Sequence, residues 1–287
     1  KEWEKTVERM GRWVDFQNAY RTMDVSYMES IWWVFKTLWD KGLIYKGLKP
    51  MHICPRCVTP LSNFEVGLGY KDVTDPAITI KFELKDEKKT YFLAWTTTPW
   101  SVLSVMGLSI GKNIDYVKVH ASDGNNYIVA EKRLEEDFKN TGLEYQVLEH
   151  FKGKKLIGKK FQHVFDMYHH HPLVQASKNV FTLVATDYTS DEEGTGIATI
   201  NGAFGEDDMN AAKKNEIPII LNVNMDGTFT EETGKFSGKF VKNEDQNIVQ
   251  YLEENGFLLK REKYKHSYPH CWRCESPLLN YARNHGL

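Results

Sequence analysis

The chain has 287 residues, 41% of them apolar and 26% charged, which is an ordinary globular composition with material for one large domain or two medium ones. A formal net charge of −2 excludes a broad electrostatic binder of nucleic acid, although "KGKKLIGKK" (152–160) is a local basic strip. No run approaches the roughly 18–20 apolar residues of a membrane span. The charged start "KEWEKTVERM" lacks a secretion signal's apolar stretch, so a cytoplasmic protein is expected.

In chain order, the first clear element is a helix over 24–41, "DVSYMESIWWVFKTLWDK". Ser26 and Glu29 have capping-box spacing, Tyr27, Ile31, Val34, Phe35 and Leu38 recur at helical period, and Gly42 is the stop. Trp32, Trp33 and Trp39 spread aromatic surface over more than one face, which calls for a partner surface.

Cys54-Pro-Arg-Cys57 follows, and Cys271-Trp-Arg-Cys274 lies near the other end; these are all the cysteines the chain has. Each spacing lets two thiolates meet one metal from a tight turn, and two such knuckles complete a four-sulfur structural zinc site. A disulfide pair is the competing reading, disfavoured in a reducing compartment. His266 and His270 flank the second pair as less favoured ligands. The knuckles make the intervening chain an insertion that leaves a stem and returns to it.

Between the knuckles the pattern turns to strands: 77–84, 90–95, 115–121, 125–130, 145–151 and 180–186, with Asp123-Gly124 as a turn. Helices are expected over about 130–139, 206–214 and 243–254, the last stopped by Gly256. His169, His170 and His171 read as an exposed loop. The fold class is α+β: a closed or nearly closed β-barrel with helical decoration on a zinc-stapled helical and ribbon stem. The expected divisions are 1–71 for the N-terminal stem, 72–262 for the barrel and 263–287 for the C-terminal stem. Neither a dinucleotide-binding glycine motif nor a P-loop is found.

Two stretches carry the candidate chemistry. In "LAWTTTPWS" (93–101), Thr96, Thr97 and Thr98 lie between Trp95 and Trp100 and stop at Pro99, so hydroxyls and backbone groups can face a ligand at a strand end. In "GTGIATINGAFGEDD" (194–208), glycines bracket a strand-like run that an acidic cluster closes.

Together with the two cysteine knuckles, "YMESIWWVFKTLWDKGLIYKG", "HSYPHCWRC" and "DGTFTEETGKFSGKFV", these stretches resemble the editing insertion of isoleucyl-tRNA synthetases over essentially the whole chain. The HIGH-type and KMSKS-type ATP motifs of those enzymes are not in the sequence, so aminoacylation is not expected of it. The resemblance implies proofreading: hydrolysis of valine wrongly joined to tRNA or to adenylate, because a missing methylene is worth only about 1–3 kcal/mol at an isoleucine site. It places Asp208 on the substrate ammonium and, with Thr97 and Thr98, in the catalytic group. Trp95, Thr96, Trp100, Val105, Thr199, Asn201 and Asp207 fall in the substrate-binding group.

The implied partners are the acceptor end of the isoleucine tRNA, an aminoacyl-adenylate and the catalytic domain of a full-length synthetase. The chain itself is expected to be a monomer holding one structural zinc. The pattern departs from the family at the pocket. Thr199 stands where a histidine is usual, Asn201-Gly202 where Ala-Pro is usual, and Val105 where an asparagine is usual. A weakened, less selective site follows. The rivals are an inactive insertion that still positions the tRNA end and a zinc-ribbon nucleic-acid module; the threonine run has no use in the latter.

Overall fold

A computed structural model describes residues 2–286, with side chains through Asn284. The chain separates into two compact units: the segment up to Leu48 together with the segment from Asn284 on, and Lys49–Arg283.

The first unit is helical. α1 spans Glu2–Arg9 and α2 spans Val25–Asp40, with Gly42 at positive φ just beyond. The expected capping box at Ser26 is not formed. The helix starts two residues earlier, behind Asp24, and Ser26 lies inside it, its carbonyl accepting from Ser30 Oγ at 2.8 Å. The aromatic surplus is real: Trp32 and Trp33 are 75% and 68% exposed, and no residue of α2 is buried.

Strands dominate the rest. β1 is Lys46–Cys54 and β2 Thr59–Pro60, and α3 is Asn63–Gly67, which carries a capping box: Glu65 N donates to Ser62 Oγ while Ser62 N donates to Glu65 Oε2. β3 (Tyr70–Glu83), β4 (Thr90–Thr96), β5 (Gly107–Ile110), β6 (Asp115–Ala121) and β7 (Asn126–Ala130) precede α4 (Leu134–Phe138). Then come β8 (Tyr145–Lys152), α5 (Pro172–Ala176), β9 (Thr182–Ala185), β10 (Ile197–Ile200), α6 (Glu206–Lys214), α7 (Asp245–Glu254), β11 (Leu258–Pro269) and β12 (Leu279–Gly286).

β3 pairs antiparallel with β4, β4 touches β10 in parallel at Trp95–Ala198, β10 pairs antiparallel with β5, and β5 runs parallel to β9. Two isolated bridges, Lys160↔Thr182 and Leu84↔Phe161, carry the pairing from β9 back to the end of β3. The sheet therefore curls back toward its own start, in keeping with the expected closed or nearly closed barrel. β4 also supports β7, β6 and β8 as a curled side sheet, while β11 lines the free edge of β3.

Strand alternation gives β4 two cores. Phe92 and Ala94 face the main cluster with Ile78, Ile80, Phe82, Leu108 and Ile110. Leu93 faces a second cluster with Val117, Val119, Tyr127 and Phe138. The next residue on the main-core side is Thr96, so the inward column of β4 ends in a hydroxyl at the rim of the barrel.

Candidate active site

At Thr96 the strand stops because Pro99 cannot continue a ladder. Pro99–Ser104 form a 3-10 turn whose six residues are all buried. Thr98 N donates to Thr96 Oγ1 at 3.2 Å, the two threonine hydroxyls lie 3.1 Å apart, and Thr98 Oγ1 is 3.0 Å from Ser101 Oγ. Asn201 Nδ2 donates to Ser101 Oγ at 3.3 Å and to Thr199 Oγ1 at 3.4 Å. Hydroxyls and an amide from two distant segments thus form one network.

The second segment is set by its glycines. Gly194 and Gly196 have positive φ, and a Cβ on Gly196 would stand 2.4 Å from that of Ala130. Thr195 between them is fully buried and donates to the carbonyl of Leu93 at 2.6 Å, stapling the loop to β4. Thr199 shares the Ile197 side of β10 and is half-buried. Gly202 lets the chain pass Ile219 and Ala212, either of which a Cβ would crowd. Asp208, in the first turn of α6, then folds back to accept the backbone N–H of Asn201 at 3.0 Å and the hydroxyl of Tyr188 at 3.1 Å. Burial lifts the Asp208 carboxyl above its ordinary range, against both of those hydrogen bonds, and neighbouring Asp207 adds to the rise.

These groups face a cavity of about 310 Å³. One wall is Thr96, Thr98, Ser101, Thr199, Asn201 and Asp208; Trp100 and Phe204 meet edge to face at 4.8 Å beside it. The opposite wall is His52, Tyr268, Pro269, Leu278 and Asn280. Six residues expected at the site from sequence are there: Thr96, Thr98, Trp100, Thr199, Asn201 and Asp208.

Four others do not line it. Trp95 points to the other side of β4, where its indole N–H donates to Glu262 Oε1 at 3.2 Å and its ring meets Tyr264. Thr97 is half-buried and does not line the cavity. Val105 is fully buried in the main core, so the position cannot present a side chain to a ligand. Asp207 borders an adjacent cavity of about 410 Å³ with Tyr188, Asn210 and Lys214. Sequence reasoning missed Ser101 and Phe204, which lie inside the quoted stretches, and the whole opposite wall. A signal for that wall existed: His52 and Pro269 each stand two residues ahead of a knuckle's first cysteine.

The four cysteines converge behind that wall. All four sulfurs lie within 4.8 Å of one another, with Cys54 and Cys57 at 3.4 and 3.6 Å from Cys274. Tetrahedral zinc with bonds of about 2.3 Å needs sulfur separations of about 3.8 Å, so the set fits a metal and is far too open for disulfides. The Cys57 N–H donates to Cys54 Sγ, and hydrogen bonds with Ser276 pull the Cys274 thiol down to about 6, toward the thiolate a metal needs. Burial pushes the Cys54 thiol up to about 12. His266 and His270 hydrogen-bond Asp75 and the Tyr268 carbonyl instead, outside the sulfur cluster. Cys54 and Cys271 pack with Val66 and Leu278, and Leu278 also lines the cavity.

Comparison with known proteins agrees with this architecture. The family model "tRNA synthetases class I (I, L, M and V)" matches residues 1–103. The crystal structure of GlLeuRS-CP1 superposes with a TM-score of 0.51 at 13% identity, covering 65% of this chain and all but 1% of that one (99%). The cytosolic leucyl-tRNA synthetase editing domain of P. knowlesi gives 0.51 at 11% identity over 69% of this chain and 99% of its own. At such identities the likeness is one of fold, and the fold is that of a class I synthetase editing domain.

Sequence relatives narrow it further. Isoleucine–tRNA ligase of Clostridium acetobutylicum is 44% identical over 284 residues, covering 98% of this chain and 26% of that protein. The Treponema denticola enzyme is 42% identical over 98% of this chain and 28% of its own length. The cytoplasmic enzyme of Mus musculus is 42% identical over 97% and 22%. The chain is a homologue of isoleucine–tRNA ligase with an editing-domain fold, and it spans about a quarter of the length of the curated relatives it matches.

Proposed function

We propose that the cavity at the barrel rim hydrolyses aminoacyl esters, removing valine from the isoleucine tRNA or from an adenylate. The observation that supports it is the convergence of one carboxylate, Asp208, with the hydroxyl and amide groups of Thr96, Thr98, Ser101, Thr199 and Asn201 around a small cavity. An aminoacyl ester is already activated, so the site needs only to orient it, admit water and stabilise developing charge. Asp208 serves as the acceptor for the substrate ammonium. Its carboxyl is held high by burial, and an arriving cation reverses that shift. Two hydrogen bonds to Asp208 leave lone pairs free for a third.

Thr199 is smaller than the histidine expected there, which widens the side that must exclude isoleucine, so hydrolysis is slow and weakly selective. One observation favours a second reading, in which the site grips the acceptor end without hydrolysis. Both Asp208 oxygens and most of the hydroxyls are already satisfied within the protein.

In the remaining assignments the four cysteines hold one structural zinc, residues 1–71 and 263–287 form the stem of the 72–262 barrel, and the exposed α2 face meets the catalytic portion of a synthetase. No helix among the described residues is long and apolar enough to cross a membrane. A cytoplasmic location and a monomeric state complete the reading. The test is deacylation of valyl-tRNA by the chain and by its Asp208→Ala variant. The reading requires measurable release from the first and none above the uncatalysed rate from the second; equal release from both refutes it.

A further inference from the structure

Pro99 has no N–H, so the first N–H that the turn at Pro99–Ser104 can offer is that of Trp100. The first N–H groups of a helical turn have no partner within it. Thr98, at the capping position, makes no side-chain cap. The acceptor comes instead from 145 residues away: Asp245 Oδ1 takes the Trp100 N–H at 2.9 Å. Asp245 is 8% exposed and is the first residue of α7, whose Ile248, Val249 and Leu252 are locked into the main core.

Resting on the reading of the cavity as an ester-hydrolysing site, we propose that Asp245 is a positioning residue: from α7 it fixes the backbone of the threonine turn that presents Thr98, Trp100 and Ser101 to the substrate. It touches no substrate, since it lies outside the cavity lining. Its hydrogen bond to the turn falls between Thr98 and Ser101, whose hydroxyls are joined to each other, Ser101 also accepting from Asn201. Releasing that amide loosens both ends of the network together.

The charged surroundings make the hold sensitive to pH. Burial raises the Asp245 carboxyl to about 7, while Lys242 and the Trp100 N–H lower it and Asp75 raises it. Lys242 Nζ sits 3.7 Å from Asp75 and over the ring of Tyr268, and His266 Nε2 is 3.2 Å from Asp75. An ionised carboxylate accepts an amide proton more strongly than a neutral carboxyl does. The turn is therefore held harder as pH rises through neutrality. Stability runs the other way: a folded-state value above the unfolded one gives stability that is complete at low pH and lost as pH rises through about 7.

The experiment combines amide hydrogen exchange at Trp100 with valyl-tRNA deacylation, for the unmodified chain, Asp245→Asn and Asp245→Ala. Asparagine keeps an acceptor oxygen but cannot ionise. Asp245→Ala should exchange the Trp100 amide about tenfold faster or more, the worth of one hydrogen bond to a charged group, with the β6–β7 amides unchanged. Its kcat should fall by a similar factor with KM within about threefold. Asp245→Asn should restore most of the protection and flatten the rise of kcat across pH 6–8. Unchanged Trp100 exchange or unchanged kcat in Asp245→Ala overturns the proposal. Should that variant fail to fold, an Asp245→Asn pH profile as steep as the original overturns it equally. If the unmodified chain releases no amino acid, the hydrolytic reading falls, while exchange at Trp100 still decides whether Asp245 holds the turn.

Discussion

The two walls of the cavity are built in different ways. The barrel wall is held from within: Thr96 ends a core-facing column, Thr195 is stapled to Leu93, and Asp208 folds back onto Asn201. The opposite wall is tied both to the cysteine cluster and to β11, whose Tyr268 and Pro269 pair with Lys71 and Tyr70 of β3. His52 precedes Cys54, Tyr268 and Pro269 precede Cys271, and Leu278 divides its surface between the sulfurs and the cavity. The apolar cluster around those sulfurs is small, consisting of Cys54, Val66, Cys271 and Leu278 with Leu61 and Cys274 at its edge. A cluster of that size holds its two turns weakly without help, so the barrel wall should survive loss of metal while the cysteine turns and Leu278 of the opposite wall should not. One supplies chemistry and the other supplies enclosure.

The largest effect that could break this contrast is metal removal. Structural zinc in finger peptides contributes about 10 kcal/mol or more of apparent binding energy. Elemental analysis should find about one zinc per chain, and chelation should expose the Cys271 and Leu278 amides to exchange while β3 and β4 stay protected. Loss of protection throughout the barrel would show that the two walls are not independent. Next comes Leu278→Ala with the metal in place, which should cost about 2–4 kcal/mol and weaken retention of a non-hydrolysable valyl-adenosine analogue, because the residue serves both cluster and cavity. On the barrel wall, Thr199→His should improve the preference for valine over isoleucine by about tenfold, the scale of one methylene's exclusion. Val105→Asn should bring no such gain. It buries an amide in the main core and should lower stability by about 1–3 kcal/mol. Smallest is Asp208→Asn, which should slightly raise the melting temperature at pH 7. A carboxyl lifted by burial stabilises the fold only at low pH and loses that contribution as pH rises through its folded value. A lower melting temperature would contradict the assigned burial cost.

The same contrast explains what was legible in the sequence. The barrel wall lies in two contiguous stretches whose threonines, glycines and acids have local reasons to be there, and six of its residues could be named beforehand. The opposite wall is assembled by topology. β11, the long strand that delivers Tyr268 and Pro269, escaped because its alternation is not apolar against polar. Its less exposed side reads Glu262, Tyr264, His266 and Tyr268 against Arg261, Lys263, Lys265 and Ser267. β5 is only four residues long and entirely buried, too short to show a period. Val105 lies in the core and not at the cavity for a related reason. Motif alignment gives a position along the chain, but the 3-10 turn that follows Pro99 decides which side chains point to the core.

The most direct measurement is the ratio of valyl-tRNA to isoleucyl-tRNA deacylation rates, taken side by side with the zinc-loaded chain. The account predicts slow release of both amino acids, with valine favoured by less than about tenfold, because Thr199 leaves room for the extra methylene. Brisk release of valine with isoleucine spared would contradict it and place the selectivity elsewhere in the cavity.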